Sequence, residues 1–271
     1  MEARRITAAT HPLIKQAVAI ARRRWKEESG LFLAEGPHLV MEAVTAAAPI
    51  RWLFFSPAFR HSAAGERLLA QLSRQGQGEL IEVPESLLRK ISDTENPQGI
   101  AAVLAFSETS LSSLLIRDPA LLAICDAIGD PGNLGTLIRI ADAAAADAVI
   151  LLPGCCDPLA PKVVRATAGS LFHLPVLRAG PEQLIDFLNR RGIALLATDL
   201  KGERSLYEAD LKKPCALLIG NEARGTSPFF LERAQLRLKI PMPGQAESLN
   251  AAISAALCLF EAVRQRTSPS Q

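Results

Sequence analysis

The pattern of apolar and polar positions divides the chain into two α/β segments. In the first, apolar residues at helical spacing predict a helix over residues 11–26, whose other face carries a cluster of arginines. Short apolar runs typical of strands follow, separated by further helical stretches. The strands are expected at 31–34, 51–55, 80–83 and 100–106, and the helices at 37–47, 62–74 and 85–91.

The second segment alternates more regularly between strands and helices. Its strands are expected at 121–127, 148–152, 174–177, 193–198, 215–219 and 236–240, and its helices at 134–145, 160–168, 182–191, 228–234 and 247–266. Nearly continuous apolar strands that alternate with helices predict a mostly parallel sheet covered on both faces. Ligands of such folds bind in loops beyond the carboxyl ends of the strands.

A polar, serine-rich stretch lies between the two segments. Residues 107–118 read SETSLSSLLIRD and predict a linker. The expected domains are therefore 1–106 and 119–271, and the length of 271 residues agrees with about two domains.

Charge changes this picture only locally. The formal net charge is +2, but the first 30 residues hold seven basic and three acidic side chains. The basic ones are Arg4, Arg5, Lys15, Arg22, Arg23, Arg24 and Lys26. Such a patch can attract a phosphate backbone, and it can equally be the solvated face of a helix; charge alone leaves both interpretations open.

Cysteine spacing and hydropathy bear on the compartment and on metals. The five cysteines form no CxxC pair and have no histidine at metal-ligand spacing, which indicates free thiols in a reducing compartment and no metal site. Neither a signal-peptide core nor an apolar run of membrane-spanning length is present. We therefore expect a cytoplasmic protein without a membrane partner.

The first loop with candidate chemistry is DPGNLGTLIR, residues 130–139, directly after a predicted strand. Pro131 and Gly132 favour a tight turn, Asn133 is expected to cap the next helix, and Arg139 follows between one and two turns later. A nucleotide-phosphate site is an alternative, but the spacings GxxxxGK[ST] and GxGxxG are absent.

Two further loops follow later strands. In GNEARG, residues 220–225, glycines flank Glu222 and allow a ligand close to the backbone; an ordinary turn is the alternative. In IPMPGQAESLN, residues 240–250, the prolines exclude regular helix and central strand. Exposed backbone there can recognise an adenine edge between apolar side chains, before a helix expected to open at Glu247; a capped amphipathic helix is the alternative.

These three loops, in this order, resemble the three motifs of the SpoU family, the TrmH-like RNA 2′-O-ribose methyltransferases. Residues 161–176, PKVVRATAGSLFHLPV, also look like the family's connecting segment, and the resemblance covers residues 121–264. Residues 10–106 are similar to the L30e-like substrate-binding domain that often precedes the methyltransferase domain.

The resemblance implies an α/β fold whose C-terminal domain is a parallel-sheet SPOUT domain with a trefoil knot. It also implies S-adenosylmethionine as the cofactor, RNA as the substrate, no metal, and a homodimer with the active site at the subunit interface. Because an L30e-like domain is fused in front, rRNA is expected rather than tRNA. The alternatives are a tRNA 2′-O-methyltransferase and a non-catalytic RNA-binding or ribosome-assembly protein.

The family's functional residues map onto this chain by motif. Asn133 and Arg139 would serve the acceptor ribose and its phosphate, while Glu222, Ser248 and Asn250 would shape the catalytic pocket. The expected cofactor contacts are Thr198, Gly220, Asn221, Gly225, Ile240, Met242, Ser248, Leu249 and Asn250. The expected RNA contacts are Arg4, Arg5, Lys15, Arg22, Arg23, Arg24, Arg139 and Arg165.

Overall fold

A computed structural model describes residues 3–22, 30–94, 96–106 and 109–267. The chain forms two compact units. The first combines Met1–Ser107 with Leu159–Phe172, and the second combines Glu108–Pro158 with His173–Gln271. The structure therefore groups residues 159–172 with the first unit, whereas the alternating strand and helix pattern predicts them in the second domain.

The first unit is built around a five-stranded mixed sheet with the strand order β1-β4-β3-β5-β2. Its strands are β1 (Arg4–Arg5), β2 (Leu31–Glu35), β3 (Ile50–Phe55), β4 (Glu79–Glu82) and β5 (Ile100–Ala105). Its helices are α1 (Pro12–Ala21), α2 (Pro37–Thr45), α3 (Pro57–Arg60), α4 (Ala63–Gln75) and α5 (Glu85–Ile91). The central strand β3 buries Leu53, Phe54 and Phe55 completely, so it anchors the core.

The second unit contains a seven-stranded sheet in which every strand pair is parallel, with the order β10-β12-β9-β11-β6-β7-β8. The strands are β6 (Leu121–Cys125), β7 (Ala148–Leu151), β8 (Val176–Arg178), β9 (Ala194–Thr198), β10 (Arg204–Ser205), β11 (Cys215–Ile219) and β12 (Leu236–Lys239). The helices that follow residue 109 are α6 (Pro131–Ala143), α7 (Pro161–Ala166), α8 (Pro181–Arg191), α9 (Pro228–Leu231) and α10 (Ala251–Thr267). The parallel α/β architecture predicted from the sequence is confirmed.

The parallel register decides where a site can form. β6 lies beside β11 with Cys125 opposite Ile219, so the loops after these two strands leave the sheet at the same edge. β12 runs in the same direction beyond β9, and its following loop emerges at that edge too. The three candidate loops therefore converge, as the parallel sheet predicts.

Segment 159–172 packs within the first unit through α7 and the turn after it. The Phe172 ring stacks on Phe32 of β2, with centroids 6.2 Å apart and an interplanar angle of 27°. Arg165 Nη2 lies 2.9 Å from Asp93 Oδ2. Gly169 has φ +108°, and a Cβ there would lie 2.7 Å from Glu42 Cγ, so the backbone approaches α2 more closely than a side chain permits. These contacts assign the segment to the first unit.

Two predicted helix boundaries are wrong for identifiable reasons. The last helix begins at Ala251 and not at Glu247, because the Asn250 carbonyl accepts the first helical hydrogen bond, from Ser254 N, and its side chain caps the helix. Helix α6 begins at Pro131, three residues earlier than expected, because Asp130 Oδ1 accepts a hydrogen bond from Asn133 N at 2.8 Å. Asp130, and not Asn133, is therefore the N-cap.

The C-terminal half of α10 holds the helix against the surrounding loops. Arg266 donates hydrogen bonds to four backbone carbonyls, those of Pro119, Ala120, Leu211 and Lys213. A planar guanidinium with five donors is suited to gathering several carbonyls in this way. The strands β6 and β11, which follow these carbonyls, are thereby tied to the end of α10.

Burial raises the pKa values of the cysteine thiols, and the described residues contain neither a candidate membrane span nor a candidate metal site. All five cysteines are free, and burial raises the pKa of Cys215 to about 11 and that of Cys258 to about 12. Within the described ranges, no helix is both long and apolar enough to cross a bilayer. The same ranges hold no group of three or more His, Cys, Asp or Glu side chains arranged to bind a metal ion.

Glu261 on α10 provides a test of how this helix is held. Its buried carboxylate accepts hydrogen bonds at 2.8 Å from Arg264 Nε, Arg264 Nη2 and Gln265 Nε2. The bonds from Arg264 hold the pKa of Glu261 below its usual value, against the opposing effect of burial. A depressed pKa means that the ionised carboxylate stabilises the folded state above the usual glutamate pKa of about 4.3 and ceases to do so as pH falls through the folded value.

We expect Glu261→Gln to lower the free energy of unfolding by about 1–3 kcal/mol at pH 7, because charge-assisted hydrogen bonds are removed. The deficit should begin to shrink below about pH 4.3, where the unfolded chain takes up the proton, and should vanish as pH falls through the lower pKa of the folded state. Urea unfolding at several pH values measures both. Glu232→Gln, which removes an exposed partner of Arg233 at 3.5 Å, is the control and should cost less than about 0.5 kcal/mol. A deficit that does not depend on pH would contradict the assignment.

Candidate active site

The loop after β11 is a closed turn. Asn221 N donates to Gly225 O at 3.0 Å, and Gly225 N donates to Asn221 O at 2.8 Å. Asn221 Nδ2 also donates to Ala127 O at 2.8 Å, which ties this turn to the loop after β6. A Cβ at Gly220 would lie 2.3 Å from Thr226 N, so only glycine allows the turn to fold back on itself.

Three side chains, one from each candidate loop, form a continuous hydrogen-bonded chain. Asn250 Nδ2 donates to Asn133 Oδ1 at 2.8 Å, and Asn133 Nδ2 donates to Glu222 Oε1 at 2.6 Å. The structure thus brings together three of the five predicted catalytic residues across separations of 117 and 89 positions in sequence.

The direction of these hydrogen bonds is fixed from one end. Asn250 Oδ1 accepts from Ala252 N at 2.9 Å and from Ile253 N at 3.3 Å, so this atom must be the amide oxygen. Its Nδ2 then has to donate, which turns Asn133 Oδ1 toward it and leaves Asn133 Nδ2 for Glu222. The first backbone amides of α10 therefore set the orientation of both asparagines and the place of the carboxylate.

The amide of Asn133 retains capacity for a ligand. It uses one of its two Nδ2 hydrogens and one of the two Oδ1 lone pairs in the chain. One donor and one acceptor remain on a half-buried side chain in the first turn of α6. Such a pair can bind a group that both donates and accepts, which is the character of a hydroxyl.

The third loop presents unpaired backbone. Along 242–249, no backbone N–H or C=O group hydrogen-bonds to another described residue. Ile240, Met242 and Leu249 are half-buried beside this backbone, whereas Ser248 is exposed and has no partner in the described chain. Open donors and acceptors flanked by apolar side chains can bind a flat heterocycle by its edge and faces.

Two residues outside the predicted site, Thr226 and Asp126, support these loops from beneath together with the predicted cofactor contact Thr198. Thr226 Oγ1 donates to Thr198 O at 2.7 Å, and Thr198 Oγ1 donates to Leu218 O at 3.1 Å. Asp126, buried directly after β6, accepts from Ser227 N at 2.7 Å. A carboxylate immediately after an apolar strand was the available signal for Asp126; Thr226 gave none, because its role depends on a contact with another strand.

Arg139 lies apart from the hydrogen-bonded chain. It is exposed on α6 and makes no hydrogen bond or ion pair with any residue that the structure describes. Six positions correspond to about 600° of helical rotation, so Arg139 projects about 120° away from Asn133 around the axis. One copy of the chain therefore does not bring this guanidinium to Asn133.

The predicted RNA contacts divide into paired and free cations. Arg4 lies 3.2 Å from Glu79, Arg5 lies 3.8 Å from Glu82, and Arg165 is paired with Asp93. Lys15 and Arg22 are exposed and have no partner among the described residues. Two of the predicted contacts, Arg23 and Arg24, lie outside the described residues.

Comparison with known proteins gives consistent matches for both units. The family model of the SpoU rRNA methylases matches residues 120–260, and the model of the MRM3-like substrate binding domain matches residues 11–102. The 23S rRNA (guanosine(2553)-2′-O)-methyltransferase RlmP of Bacillus subtilis is 32% identical and covers 95% of this chain and 98% of its own length. The 23S rRNA (uridine(2479)-2′-O)-methyltransferase of Streptomyces viridochromogenes is 33% identical, covering 98% and 94%.

A solved structure extends the match to three dimensions. The AdoMet-bound rRNA methyltransferase of Sinorhizobium meliloti superposes with a TM-score of 0.88 at 33% identity and covers 98% of this chain and 99% of its own. The similarity therefore includes both units and the order of all three loops.

The hydrogen-bonded chain makes a specific demand on position 133. Asn133→Asp would place a second carboxylate against Glu222 and remove the donor between them, which is unfavourable while both are ionised. We expect the melting temperature to fall by about 2–6 °C at pH 8, since loss of this half-buried hydrogen bond together with like-charge repulsion costs about 1–3 kcal/mol. The deficit should become smaller near pH 5, where the pair can share a proton.

Thermal unfolding followed by circular dichroism at both pH values measures this effect. Asn189→Asp makes the same chemical change at an exposed position of α8 and should leave the melting temperature nearly unchanged at either pH. Equal behaviour of the two variants would show that Asn133 and Glu222 are not in contact.

Proposed function

The chain belongs to the SpoU rRNA methylase family, and we propose that it transfers a methyl group from S-adenosylmethionine to the 2′-oxygen of a ribose in 23S rRNA. The observation that carries the proposal is the chain Glu222–Asn133–Asn250, which joins the three candidate loops at one edge of the sheet. A protein that had lost catalysis while keeping the fold would have no requirement for this polar constellation.

The residues present fit the adenosine and methionine parts of the cofactor. Unpaired backbone along 242–249 offers donors and acceptors for the adenine edge, and Ile240, Met242 and Leu249 offer apolar surface for its faces. Gly220 and Gly225 leave backbone without side chains beside them, while Thr198 and Asn221 hold these turns in place. When bound, S-adenosylmethionine supplies a methyl group on a positively charged sulfur.

The protein's own contribution is to position the ribose and manage the proton of its 2′-hydroxyl. Asn133, with one free donor and one free acceptor, binds the acceptor ribose, and Asn250 and Glu222 keep its amide in a single orientation. Ser248, exposed on the third loop, supplies a further hydroxyl at the pocket. Water or a carboxylate accepts the proton as the oxygen attacks.

Arg139 contributes charge rather than a basic site. A guanidinium remains protonated at any ordinary pH, so it cannot be the general base. Its planar pair of donors instead grips the neighbouring phosphate and stabilises developing negative charge on the 2′-oxygen.

We propose a homodimer with the active site at the subunit interface. Support comes from the separation of Arg139 from Asn133 within one copy and from the apolar surface of α10, where Ile253 and Phe260 remain 51% and 47% exposed. These two residues are seven positions apart and share a helix face. Sedimentation equilibrium should give twice 29.1 kDa, and a monomer at micromolar concentration would contradict the proposal.

We also propose a trefoil knot in the second unit. Support comes from strand order, since β11 lies between β6 and β9, and from α10, which packs on α6 and is tied by Arg266 to the carbonyls preceding β6 and β11.

We propose that the first unit, matched by the substrate-binding model, holds RNA through two exposed cations, Lys15 on α1 and Arg22 directly after this helix. The further contacts are Arg4, Arg5, Arg23, Arg24 and Arg165. We propose a cytoplasmic location, because the proposed substrate is rRNA.

Incubation of the purified protein with methyl-labelled S-adenosylmethionine and separate pools of deproteinised 23S rRNA and tRNA tests the function. We expect label in 23S rRNA, in a nucleotide that resists alkaline cleavage because its 2′-oxygen is blocked. The two relatives named above act on a guanosine and a uridine, so the position has to be mapped. Label in tRNA alone would show that the substrate is tRNA and not 23S rRNA. Cofactor binding without methylation of either pool would contradict the proposal.

Arg139→Lys tests the requirement for a guanidinium. Lysine keeps the charge but does not offer the planar pair of donors, so we expect turnover to fall about 100-fold, the typical cost of removing one oriented donor to a developing oxyanion. The affinity for S-adenosylmethionine, measured by calorimetry, should stay within about twofold of wild type, since Arg139 is proposed to contact the RNA and not the cofactor. Turnover close to wild type in the lysine variant would contradict the role.

A further inference from the structure

A cleft of about 550 Å³ lies in the second unit, along the outer face of α8. Arginines of two elements line it, Arg178 at the end of β8 and Arg190 and Arg191 in the last turn of α8. Its other wall is the segment that carries Ser110 and Ser112. We refer to this cleft, lined by Arg178, Arg190, Arg191, Ser110 and Ser112, as the arginine groove.

The arginine groove is strongly positive. Three guanidiniums line it, and no carboxylate is among the lining residues that the structure describes. Arg178 has a counter-charge in Asp157 at 3.6 Å, a distance at the long end for an ion pair, and keeps half of its side chain exposed. Among the described residues, Arg190 donates only to a backbone carbonyl, that of Asp186. Most of the positive charge is therefore available to an anion.

The arginine groove is also shaped in advance. The Arg191 guanidinium lies over the ring of buried Phe187, 5.8 Å from its centroid, which limits the positions it can take. Ser110 Oγ and Ser112 Oγ are 2.9 Å apart on the other wall; one hydroxyl donates to the other, which leaves one O–H to donate to an oxyanion. A groove with guanidiniums on one side and a hydroxyl donor on the other suits the phosphodiesters of a nucleic-acid backbone.

Length indicates a polymer rather than a single phosphate. Gln183 and Arg191 both line the groove and are eight positions apart, which corresponds to about 12 Å of helix. Phosphates of one strand in a duplex repeat every ~3.4 Å along the axis, so the groove spans more than one of them.

The position of the groove relates it to the site. β8 is the edge strand of the sheet, and only β7 separates it from β6, so Arg178 at its carboxyl end lies at the sheet edge that carries the loop of Asn133. Two strand spacings correspond to about 10 Å. A strand of RNA that reaches the catalytic loops can continue over Arg178 into the groove.

We infer that the arginine groove binds the phosphate backbone of the substrate RNA beside the methylated ribose. This inference rests on the proposed function for the identity of the ligand, and on the groove's own charge and shape for the site. The contacts are to phosphates, so they position the RNA without selecting a base.

The chain offers a closely matched pair of variants. Arg191→Gln removes a guanidinium held over Phe187 in the groove. Arg233→Gln removes an exposed guanidinium of the same unit that lies 3.9 Å from the centroid of Phe229, outside the groove. Arg190→Gln/Arg191→Gln removes two groove charges. Filter binding of the full-length protein to deproteinised 23S rRNA, at a series of KCl concentrations, compares them.

We expect Arg191→Gln to weaken RNA binding about threefold and the double variant about tenfold at 100 mM KCl. The slope of log K against log salt should fall by about 0.7–0.9 for each phosphate that the protein no longer neutralises. Arg233→Gln should stay within about twofold of wild type with an unchanged slope, and S-adenosylmethionine affinity should be the same in all four proteins.

If the double variant binds RNA with the same affinity and the same salt slope as Arg233→Gln, the inference that the groove binds RNA would be overturned. Saturation of the groove by adenosine monophosphate, with no effect of the variants on RNA binding, would make it a small-anion site and would also overturn the inference. Methyl transfer by the wild-type protein is measured in parallel. If the wild-type protein methylates RNA but the variants bind RNA normally, only the role of the groove is contradicted. If the variants bind RNA more weakly but the wild-type protein transfers no methyl group, only the proposed function is contradicted.

Discussion

The structure of the candidate site depends on the direction in which one asparagine is turned. Asn250 caps α10 with its amide oxygen, so its side-chain nitrogen has to donate to the amide oxygen of Asn133. The nitrogen of Asn133 then requires an acceptor, which the carboxylate of Glu222 provides. Each bond contributes only about 1 kcal/mol, or somewhat more where Glu222 takes part, but together they give each group a single orientation. A helix terminus, formed for local reasons, thus aligns side chains that are more than a hundred positions apart in sequence.

Much of the fold could be predicted because it rests on local patterns. The apolar strands and the helices between them follow from hydrophobic periodicity, and the parallel sheet then places the three loops at one edge. The start of a helix was harder to predict where several residues could act as the cap. Asp130 and Asn133 both suit a cap, and tertiary contacts decide between them: Asn133 is used by Asn250 and Glu222, which leaves Asp130 to cap α6.

The fate of individual charges could not be predicted either. Arg4 and Arg5 belong to a basic N-terminal stretch, yet β1 pairs with β4 and brings them to Glu79 and Glu82. Arg178, Arg190 and Arg191 are scattered in sequence and gave no signal, yet folding gathers them along one cleft. A net charge of +2 is compatible with both outcomes, because it does not show which cations are paired with carboxylates in the folded protein and which are not.

Segment 159–172 has a consequence for how the protein is divided. The chain passes from the first unit to the second, returns at Leu159 and leaves again after Phe172, so three covalent crossings connect the units. A fragment that ends at residue 107 would lack the ring that stacks on Phe32 and the guanidinium that pairs with Asp93. A fragment that begins at residue 108 would carry those groups without their partners. Neither unit is therefore a module that a single cut at the serine-rich stretch would release intact.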